Sequence, residues 1–471
     1  MNYLTLNLID FRQPEQLPFL QNLQGNILKG HGRDYTAHIF FSFIKGRQAQ
    51  AKECLHELGE SLTSAYGQLY ERETYNRTKS NESTFISAFL TMSGYQYLGF
   101  EDSTHKFADE GFINGLKSRA GELNDPLDSD WEKGYKPQHD LMILVANDNK
   151  VKLAGATRMI LEEFKNVCKT GALHIEYGNV LRNETGAGIE HFGYADGTSQ
   201  PIFLKDEMDD YLARHYCTNV NPIYFDPGFP LNKVLIKDPY AQAGYEEFSY
   251  GSYFVFRKLE QNVRGFKQLE GAIKDASGNE LGEIAGAYLV GRFEDGSPVT
   301  NSPFEGQIDA AAFNNFNYSA DPSGGKCPHF AHIRNVNPRK ISDSSKPAEF
   351  GAHSIVRRGI PFGHRDAPPE TELELEQFPE GGVGLLFMCY QASITGQFEA
   401  MQKMANTPAG MGGSTTDIDP IIGQPGSNMQ YCFPLHYGSS QAISPQPFKP
   451  FVTLKGGEYF FAPSIQFFKT L

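Results

Sequence analysis

The chain has 471 residues, which on the usual scale of about 100 to 200 residues per domain suggests two to four folding units, and we expect two. Hydrophobic residues make up 40% and charged residues 21%, which excludes an intrinsically disordered chain. The formal net charge of −14 argues against binding to nucleic acid phosphates or to an anionic membrane surface.

The sequence shows no pattern typical of a secretory signal or a membrane span. The first twenty residues lack a basic start followed by an apolar run, and no later stretch approaches the roughly 20 apolar residues of a membrane span. The cysteines form no Cys-x-x-Cys pair, which is typical of free thiols in a reducing compartment; they are Cys54, Cys168, Cys217, Cys327, Cys389 and Cys432. We therefore expect a cytoplasmic protein. Export after folding and loading into a protein shell stay compatible with the sequence.

The first part of the chain alternates strand-like and helix-like segments. Apolar patterning predicts helices over 47–62 and 151–167. Strands are predicted over 36–44, 84–91, 140–146 and 173–177. This pattern indicates an α+β domain, to which we assign residues 1–200.

The second part repeats the same plan after an irregular stretch. Residues 201–246 are rich in Pro, Asp and Tyr, with little periodicity, and are interpreted as an ordered connector. Strands are then predicted over 252–258, 384–390 and 459–463, with a helix over 397–406. The second domain is assigned to residues 247–471. No repeat is strict enough to indicate a solenoid.

Three separated segments carry the groups of a peroxide-handling site. His332 lies in Cys-Pro-His-Phe-Ala-His332-Ile-Arg, and a neutral imidazole is a common axial ligand of haem iron. Asp196 lies in Gly-Tyr-Ala-Asp196-Gly, where a carboxylate can move a proton between the two oxygens of a peroxide. Arg357 and Arg358 both lie in Arg-Arg-Gly-Ile-Pro-Phe-Gly, and a guanidinium can stabilise the departing hydroxide.

Each of these residues also has an ordinary structural interpretation. Any one of thirteen histidines is more often a hydrogen-bonded or solvent-facing ring than a ligand. An Asp-Gly pair is a common turn, so the five-residue pattern around Asp196 is weak by itself. The longer string His191-Phe-Gly-Tyr-Ala-Asp-Gly-Thr-Ser-Gln-Pro is far more specific.

Together, the three segments resemble the signature of the dye-decolourising peroxidase family in their residues and in their order along the chain. That signature is Gly-x-x-Asp-Gly, followed much later by a haem-binding His and then by an Arg. The likeness continues in Leu-Gln-Gly-Asn-Ile-Leu from residue 23, in the segment 288–297 and in the segment 456–464, so it spans nearly the whole chain. It is greatest to the longer members of the family.

The resemblance implies a fold and a set of cofactor contacts. The fold class it implies is α+β, with two ferredoxin-like domains whose antiparallel sheets pack together as in a dimeric α+β barrel. The cofactor it implies is haem b, iron protoporphyrin IX. The residues it assigns are His332 as axial iron ligand, Asp196 and Arg357 as catalytic groups, Arg339 at a propionate, Leu385 and Phe387 on an apolar wall, and Gly197 and Thr198 beside the cofactor. A surface salt bridge is the alternative role of Arg339, and core packing that of Leu385 and Phe387.

The activity that the resemblance implies is peroxidase activity at an acidic optimum. Hydrogen peroxide would oxidise the haem, and bulky dyes, phenols and other aromatic donors would return it to rest by one-electron steps through an oxoferryl intermediate. Electrons could leave through a surface tyrosine or through Trp131, whose polar neighbours suggest exposure, although a packing role is equally compatible. A carboxylate should support His332, and Asp419 is a candidate.

Two other functions are compatible with the residues. One is haem transport or storage with incidental peroxidase activity, against which the presence of both Asp196 and Arg357 argues. The other is a metal-dependent hydrolase built from His329, His332 and His353, whose spacing matches no zinc pattern. A homo-oligomer and a protein-shell cargo are both compatible with the sequence.

Overall fold

The computed structural model describes residues 2–79, 83–100, 102–217, 223–275, 278–339, 341, 345–365, 373–408, 418–424, 429–443 and 446–471. The α-helices in these ranges are α1 (Leu17–Asn22), α2 (Gln48–Ser61), α3 (Ala65–Thr78), α4 (Met92–Tyr97), α5 (Ser103–Lys106), α6 (Glu110–Asn114), α7 (Ala120–Leu123), α8 (Lys150–Phe164), α9 (Lys205–Cys217), α10 (Val263–Ala272), α11 (Glu283–Val290), α12 (His332–Val336), α13 (Glu399–Ala405) and α14 (Ile465–Lys469). A π-helical turn, Ile394–Phe398, leads into α13.

The strands belong to one large antiparallel sheet and two small two-stranded sheets. The large sheet contains β1 (Tyr35–Phe41), β2 (Phe85–Leu90), β3 (Leu141–Asn147), β4 (His174–Asn179), β7 (Ile236–Lys237), β8 (Tyr250–Gln261), β9 (Val356–Arg357), β10 (Ile360–Phe362), β11 (Gly384–Gln391) and β14 (Val452–Ala462). The small sheets pair β5 (Leu181–Arg182) with β6 (Gly188–Ile189) and β12 (Met429–Tyr431) with β13 (Gln446–Phe448).

The first half of the large sheet is a ferredoxin-like unit. Its elements follow one another as β1, α2, β2, β3, α8 and β4, and its strands lie side by side as β2-β3-β1-β4. Helix α8 begins after Asn149, whose side chain accepts hydrogen bonds from the first amides of the helix. Its buried residues Leu153, Ile160 and Phe164 recur at helical spacing, which is why the sequence pattern predicts this helix.

The second half repeats this unit. Strands β8, β10, β11 and β14 lie in the order β10-β11-β8-β14, with α10 after β8 and α13 after β11. The antiparallel register pairs Phe387 with Arg257 and Tyr459 with Val255. The halves are therefore two versions of one βαββαβ topology, as the resemblance implies.

The two units close into a single barrel. On one side β14 joins β2 through the pair Phe461 and Leu90. On the other side β4 lies against β10, since a Cβ atom added to Gly178 would stand 2.5 Å from Ile360 Cγ2. Strands of the two halves thus meet at both seams, and the predicted α+β barrel fold is confirmed.

Aromatic side chains fill the interior of the barrel. Phe40 and Phe256 pack edge to face with ring centroids 5.0 Å apart, and Phe89 stacks on Phe254 at 4.3 Å. Such pairs add to the free energy gained from burial of their apolar area. The high phenylalanine content is therefore mainly a feature of this core.

Two features differ from the simplest expectations. Trp131 is only 3% exposed, and its indole nitrogen donates to the Pro126 carbonyl, so the suggested exposure was wrong and the packing alternative holds. The predicted connector, 201–246, contains helix α9, while its residues 218–222 lie outside the described ranges. The domain boundaries stay a prediction. Within the described ranges, none of the helices has the length and apolar character needed to cross a bilayer.

Candidate active site

One cavity beside the barrel brings the predicted site residues together. Between its walls lies about 1490 Å³ of space, including the part that is open to solvent. Its lining includes Asp196, Gly197, Thr198, His332, Arg339, Arg357, Leu385 and Phe387. Residues that are far apart in the chain, on both sides of the connector, are thus neighbours in the fold.

His332 is the first residue of α12 and is held by a carboxylate. Its Nδ1 lies 2.9 Å from Oδ2 of Asp419, which is fully buried. The other oxygen of Asp419 accepts the backbone amides of Ile421 and Ile422 at 2.8 and 3.0 Å. The carboxylate therefore fixes an imidazole whose Nδ1 carries the proton and whose Nε2 lone pair is free for a metal ion. The expected contact between His332 and Asp419 is confirmed.

A buried ion pair ties the segment before His332 to helix α12. Arg334 donates to Asp321 Oδ2 at 2.8 Å and to the Cys327 carbonyl at 2.5 Å. His329 and His353 lie apart from this arrangement and bond to backbone carbonyls. Among the residues that the structure describes, no group of three His, Cys, Asp or Glu side chains is placed to hold a metal ion, which argues against the hydrolase alternative.

Asp196 projects from a tight hairpin. Its amide donates to the Gly188 carbonyl at 3.0 Å, and the Gly197 amide donates to Asp196 Oδ1 at 2.6 Å. Gly193 and Gly197 have φ values of +108° and +76°, which residues with a Cβ atom rarely adopt. A Cβ on Gly193 would also meet the Glu294 carboxylate at 3.1 Å. The glycines of the motif are thus needed by the backbone path that delivers Asp196.

The choice between the two adjacent arginines is decided by where each side chain goes. Arg357, on β9, donates from Nη1 to Asp196 Oδ1 at 2.9 Å, and both side chains are about one-third exposed. Arg358 turns away and donates to the carbonyls of Asn26 and Ile27. Arg357 is therefore the guanidinium that shares the cavity with Asp196, as the family pattern implies.

Two further arginines in the cavity wall lack carboxylate partners within the described residues. Arg339 is 3% exposed, lies between the rings of Phe225 and Phe316, and donates to the carbonyl and side-chain oxygens of Asn314. Burial lowers its pKa to about 9. It is a buried cation, so the alternative of a surface salt bridge is wrong.

Arg292 is the second of these buried cations. Its Nη1 donates to the carbonyls of Gly296 and Phe313 at 2.7 Å, while its buried Nη2 has no hydrogen-bond partner in the part of the chain that is described. Burial lowers its pKa to about 10. Two buried guanidiniums and an unused N–H donor favour an anionic group in the cavity.

A second carboxyl group, Glu190, also lines the cavity. Burial raises its pKa to about 7, and the charge of Asp196 contributes in the same direction. The apolar part of the wall comes from Leu385 and Phe387, alternate residues on β11, together with Phe398, whose ring centroid lies 6.0 Å from that of Phe387. The cavity thus combines a flat apolar wall with charged groups.

Sequence reasoning missed Arg292 and Glu190. Arg292 lies in the segment 288–297, which matches the family but carries no role in its pattern. Glu190 immediately precedes the string that begins at His191. Neither residue has a local signal for burial beside a cavity, because that burial depends on contacts with distant parts of the chain.

Comparisons with known proteins agree with this fold and cavity. Residues 22–174 match the family model of the DyP dimeric alpha+beta barrel domain, and residues 292–419 match that of the Dyp-type peroxidase C-terminal region. The multifunctional dye peroxidase DyP2 of Amycolatopsis sp. is 38% identical over 465 residues, which are 97% of each chain. A dye-decolorizing peroxidase of Mycena epipterygia is 29% identical over 95% of this chain and 85% of its own.

A solved structure shows the same architecture. The DyP-type peroxidase of Anabaena sp. superposes with a TM-score of 0.86 at 34% identity, covering 99% of this chain and 98% of its own. The fold and the cavity define the class, an α+β barrel enzyme with an imidazole and a carboxylate–guanidinium pair in one pocket. The chain belongs to the dye-decolourising, or DyP-type, peroxidase family. It is an oxidoreductase that acts on peroxide, and enzymes of this family depend on haem.

Proposed function

We propose that this protein is a haem b peroxidase that uses hydrogen peroxide to oxidise bulky dyes, phenols and other aromatic donors by one-electron steps. In this proposal His332 would hold the haem iron, and Asp196 and Arg357 would act on the peroxide. The observation that carries it is the ion pair of Asp196 and Arg357 in the same cavity as the carboxylate-supported His332.

The residues of the cavity fit a haem group. His332 offers Nε2 to iron, and its partner Asp419 makes the imidazole a stronger donor. The buried guanidiniums of Arg339 and Arg292 suit two carboxylates, as haem propionates would supply. Among the described residues, Nη2 of Arg292 has no acceptor, so it could donate to such a group. Phe387 supports a wall suited to a flat apolar ring system. Gly197 and Thr198 line the same cavity and are proposed to lie beside the cofactor.

Asp196 and Arg357 would divide the work on the peroxide between them. Bound haem would supply an iron centre at which the oxygen–oxygen bond is broken and from which one-electron oxidation proceeds. The carboxyl group of Asp196 would accept the proton of hydrogen peroxide and pass it to the departing oxygen. Arg357 holds Asp196 through a hydrogen bond and would offer donors to the developing negative charge.

The test is the ultraviolet–visible spectrum of the haem-reconstituted protein before and after one equivalent of hydrogen peroxide. His332→Ala should weaken the Soret band, while Asp196→Asn should keep it and slow the spectral change with peroxide by about 100-fold or more. Exposed residues provide matched controls in His105→Ala and Asp128→Asn, which should behave as wild type. No Soret band after reconstitution of the wild type would refute the proposal.

The alternative function, haem transport or storage, predicts a different result. A protein that only carries haem does not need the Asp196–Arg357 pair, so Asp196→Ala would keep full peroxide turnover. Loss of turnover with haem binding retained separates the enzyme from the carrier.

The physiological setting stays a prediction of the sequence. We propose a cytoplasmic location and a homo-oligomer, with loading into a protein shell as a further arrangement to test. Size-exclusion chromatography with light scattering measures the oligomeric state, and fractionation of cells measures the location. Trp131 is buried, so a surface tyrosine is the better candidate for passing electrons to bulky donors.

A further inference from the structure

Glu190 is a cavity carboxyl group to which the proposed chemistry gives no task. Its Oε1 accepts the amide of Tyr194 at 3.0 Å, and its Oε2 accepts the amide of Phe192 at 2.9 Å. Its Oε2 also accepts from Nε2 of Gln261 on β8. Three donors thus converge on one side chain, and two of them belong to the short turn that follows it.

That turn carries Asp196. The backbone closes it through hydrogen bonds between Glu190 and Tyr194 and from the Gly193 amide to the Glu190 carbonyl at 3.0 Å. A bridge pairs Ile189 with Ala195, the residue before Asp196. Any movement of the turn relative to β8 therefore moves Asp196 relative to the cavity.

The turn contains a glycine that offers no anchor of its own. Gly193 has a φ of +108° and no side chain that could pack against the barrel. Besides the stacking of Phe192 on Phe266, Glu190 ties the turn to the barrel, because it accepts two amides of the turn and is itself bonded to a strand.

We propose that Glu190 is a positioning residue for Asp196, which ties the turn 190–194 to strand β8 through Gln261. The inference rests on the proposed function, because it assigns Asp196 the proton transfer. Glu190 itself does not touch the peroxide. It determines the fraction of molecules in which Asp196 is positioned to accept the proton of hydrogen peroxide.

The test compares Glu190→Ala, which removes all three acceptor contacts, with Glu190→Gln, which keeps the size but turns an NH₂ group toward a backbone donor. Glu184→Gln, an exposed position in the preceding hairpin, is the matched control. Stopped-flow spectroscopy of the haem-loaded proteins measures the second-order rate constant with hydrogen peroxide. Hydrogen exchange followed by mass spectrometry, on the haem-free proteins, measures the amides of residues 188–197.

Glu190→Ala should lower the peroxide rate constant by about 10- to 100-fold, the effect of a misplacement near 1 Å. Glu190→Gln should show a smaller loss, and the KM for the aromatic donor should stay at the wild-type value in both. Amide exchange should rise within 188–197 only.

Wild-type rates in both Glu190 variants would overturn the inference. So would a rise in exchange throughout the chain, since Glu190 would then act on global stability. A wild type that binds no haem would refute the proposed function instead, and the exchange measurement on the haem-free protein would still decide whether Glu190 holds the turn.

Discussion

Acid stability is set in part by His38, a fully buried residue of β1. Its ring packs against Phe256 with centroids 5.5 Å apart. Burial lowers the pKa of His38 from 6.5 to about 4, and the backbone and charge of Glu176 oppose this change only in part. The folded protein thus keeps His38 neutral at a pH where the unfolded chain protonates it.

The size of the effect follows from these two pKa values. The folded-state pKa is the lower one, so the stabilisation is complete above the unfolded pKa and is lost as the pH falls toward the folded pKa. A tenfold difference in proton affinity between the folded and unfolded chain corresponds to about 1.4 kcal/mol. Between pH 7 and pH 4 this histidine should therefore remove about 3 kcal/mol from the free energy of unfolding.

The substitution His38→Leu removes the titrating group while keeping a side chain of similar size. Urea unfolding at pH 7, 6, 5 and 4 gives the difference in free energy of unfolding between variant and wild type. That difference should change in favour of the variant by about 3 kcal/mol from pH 7 to pH 4, whatever its value at pH 7. Exposed His105→Leu is the control and should show no such trend.

A difference that is constant with pH would refute this reasoning, because packing changes alone are independent of protonation. The result matters for function, since the resemblance implies an acidic optimum. Activity in acid would then be limited in part by unfolding of the protein.

Three further predictions concern the cavity and the core. Asp419→Asn should raise the reduction potential of the bound haem, because the His332 imidazole loses its anionic partner. Spectroelectrochemistry measures this potential, and an unchanged value would contradict the role of Asp419. Arg339→Gln should weaken haem binding by about 10- to 100-fold in a haem titration, which is the value of a charged hydrogen bond. Arg264, whose side chain is one-third exposed, provides the control, and Arg264→Gln should leave the haem affinity unchanged. Arg257→Met should lower the free energy of unfolding by about 3 to 5 kcal/mol, because it leaves buried Asp125 without its ion-pair partner. Adding Asp125→Leu to this variant should recover most of the lost stability. Equal stability of the single variant and the wild type would argue against a stabilising role of the ion pair.

The elements that sequence reasoning located well are those with a strong local pattern. The strand predicted over 84–91 is Phe85–Leu90, and the helix predicted over 47–62 is Gln48–Ser61. The helix predicted over 397–406 begins earlier, with the π-helical turn Ile394–Phe398. Propensity and periodicity are read within a few residues, so they fix type and approximate bounds but not irregular ends.

Contacts between distant segments could not be read in this way. At the seam between β4 and β10, residues 178 and 360 lie in contact, and no local pattern predicts that contact. The same limit applies to Arg339, whose burial between two rings comes from packing of remote segments, and to Glu190, whose Gln261 partner lies on another strand. Motif resemblance brought Asp196, His332 and Arg357 to one site because the family pattern carries information that the local sequence does not.

The two seams of the barrel determine whether the two halves of the chain can fold and function separately. Each half alone would present open strand edges at β2 and β4 or at β10 and β14, which in isolation are templates for aggregation. Asp196 precedes the connector and Arg357 follows it, so neither half carries the catalytic pair. Two halves produced as separate chains should therefore regain activity only when they assemble with each other along both seams. Recombination that replaces one half with that of a relative would have to preserve the contacts at both seams.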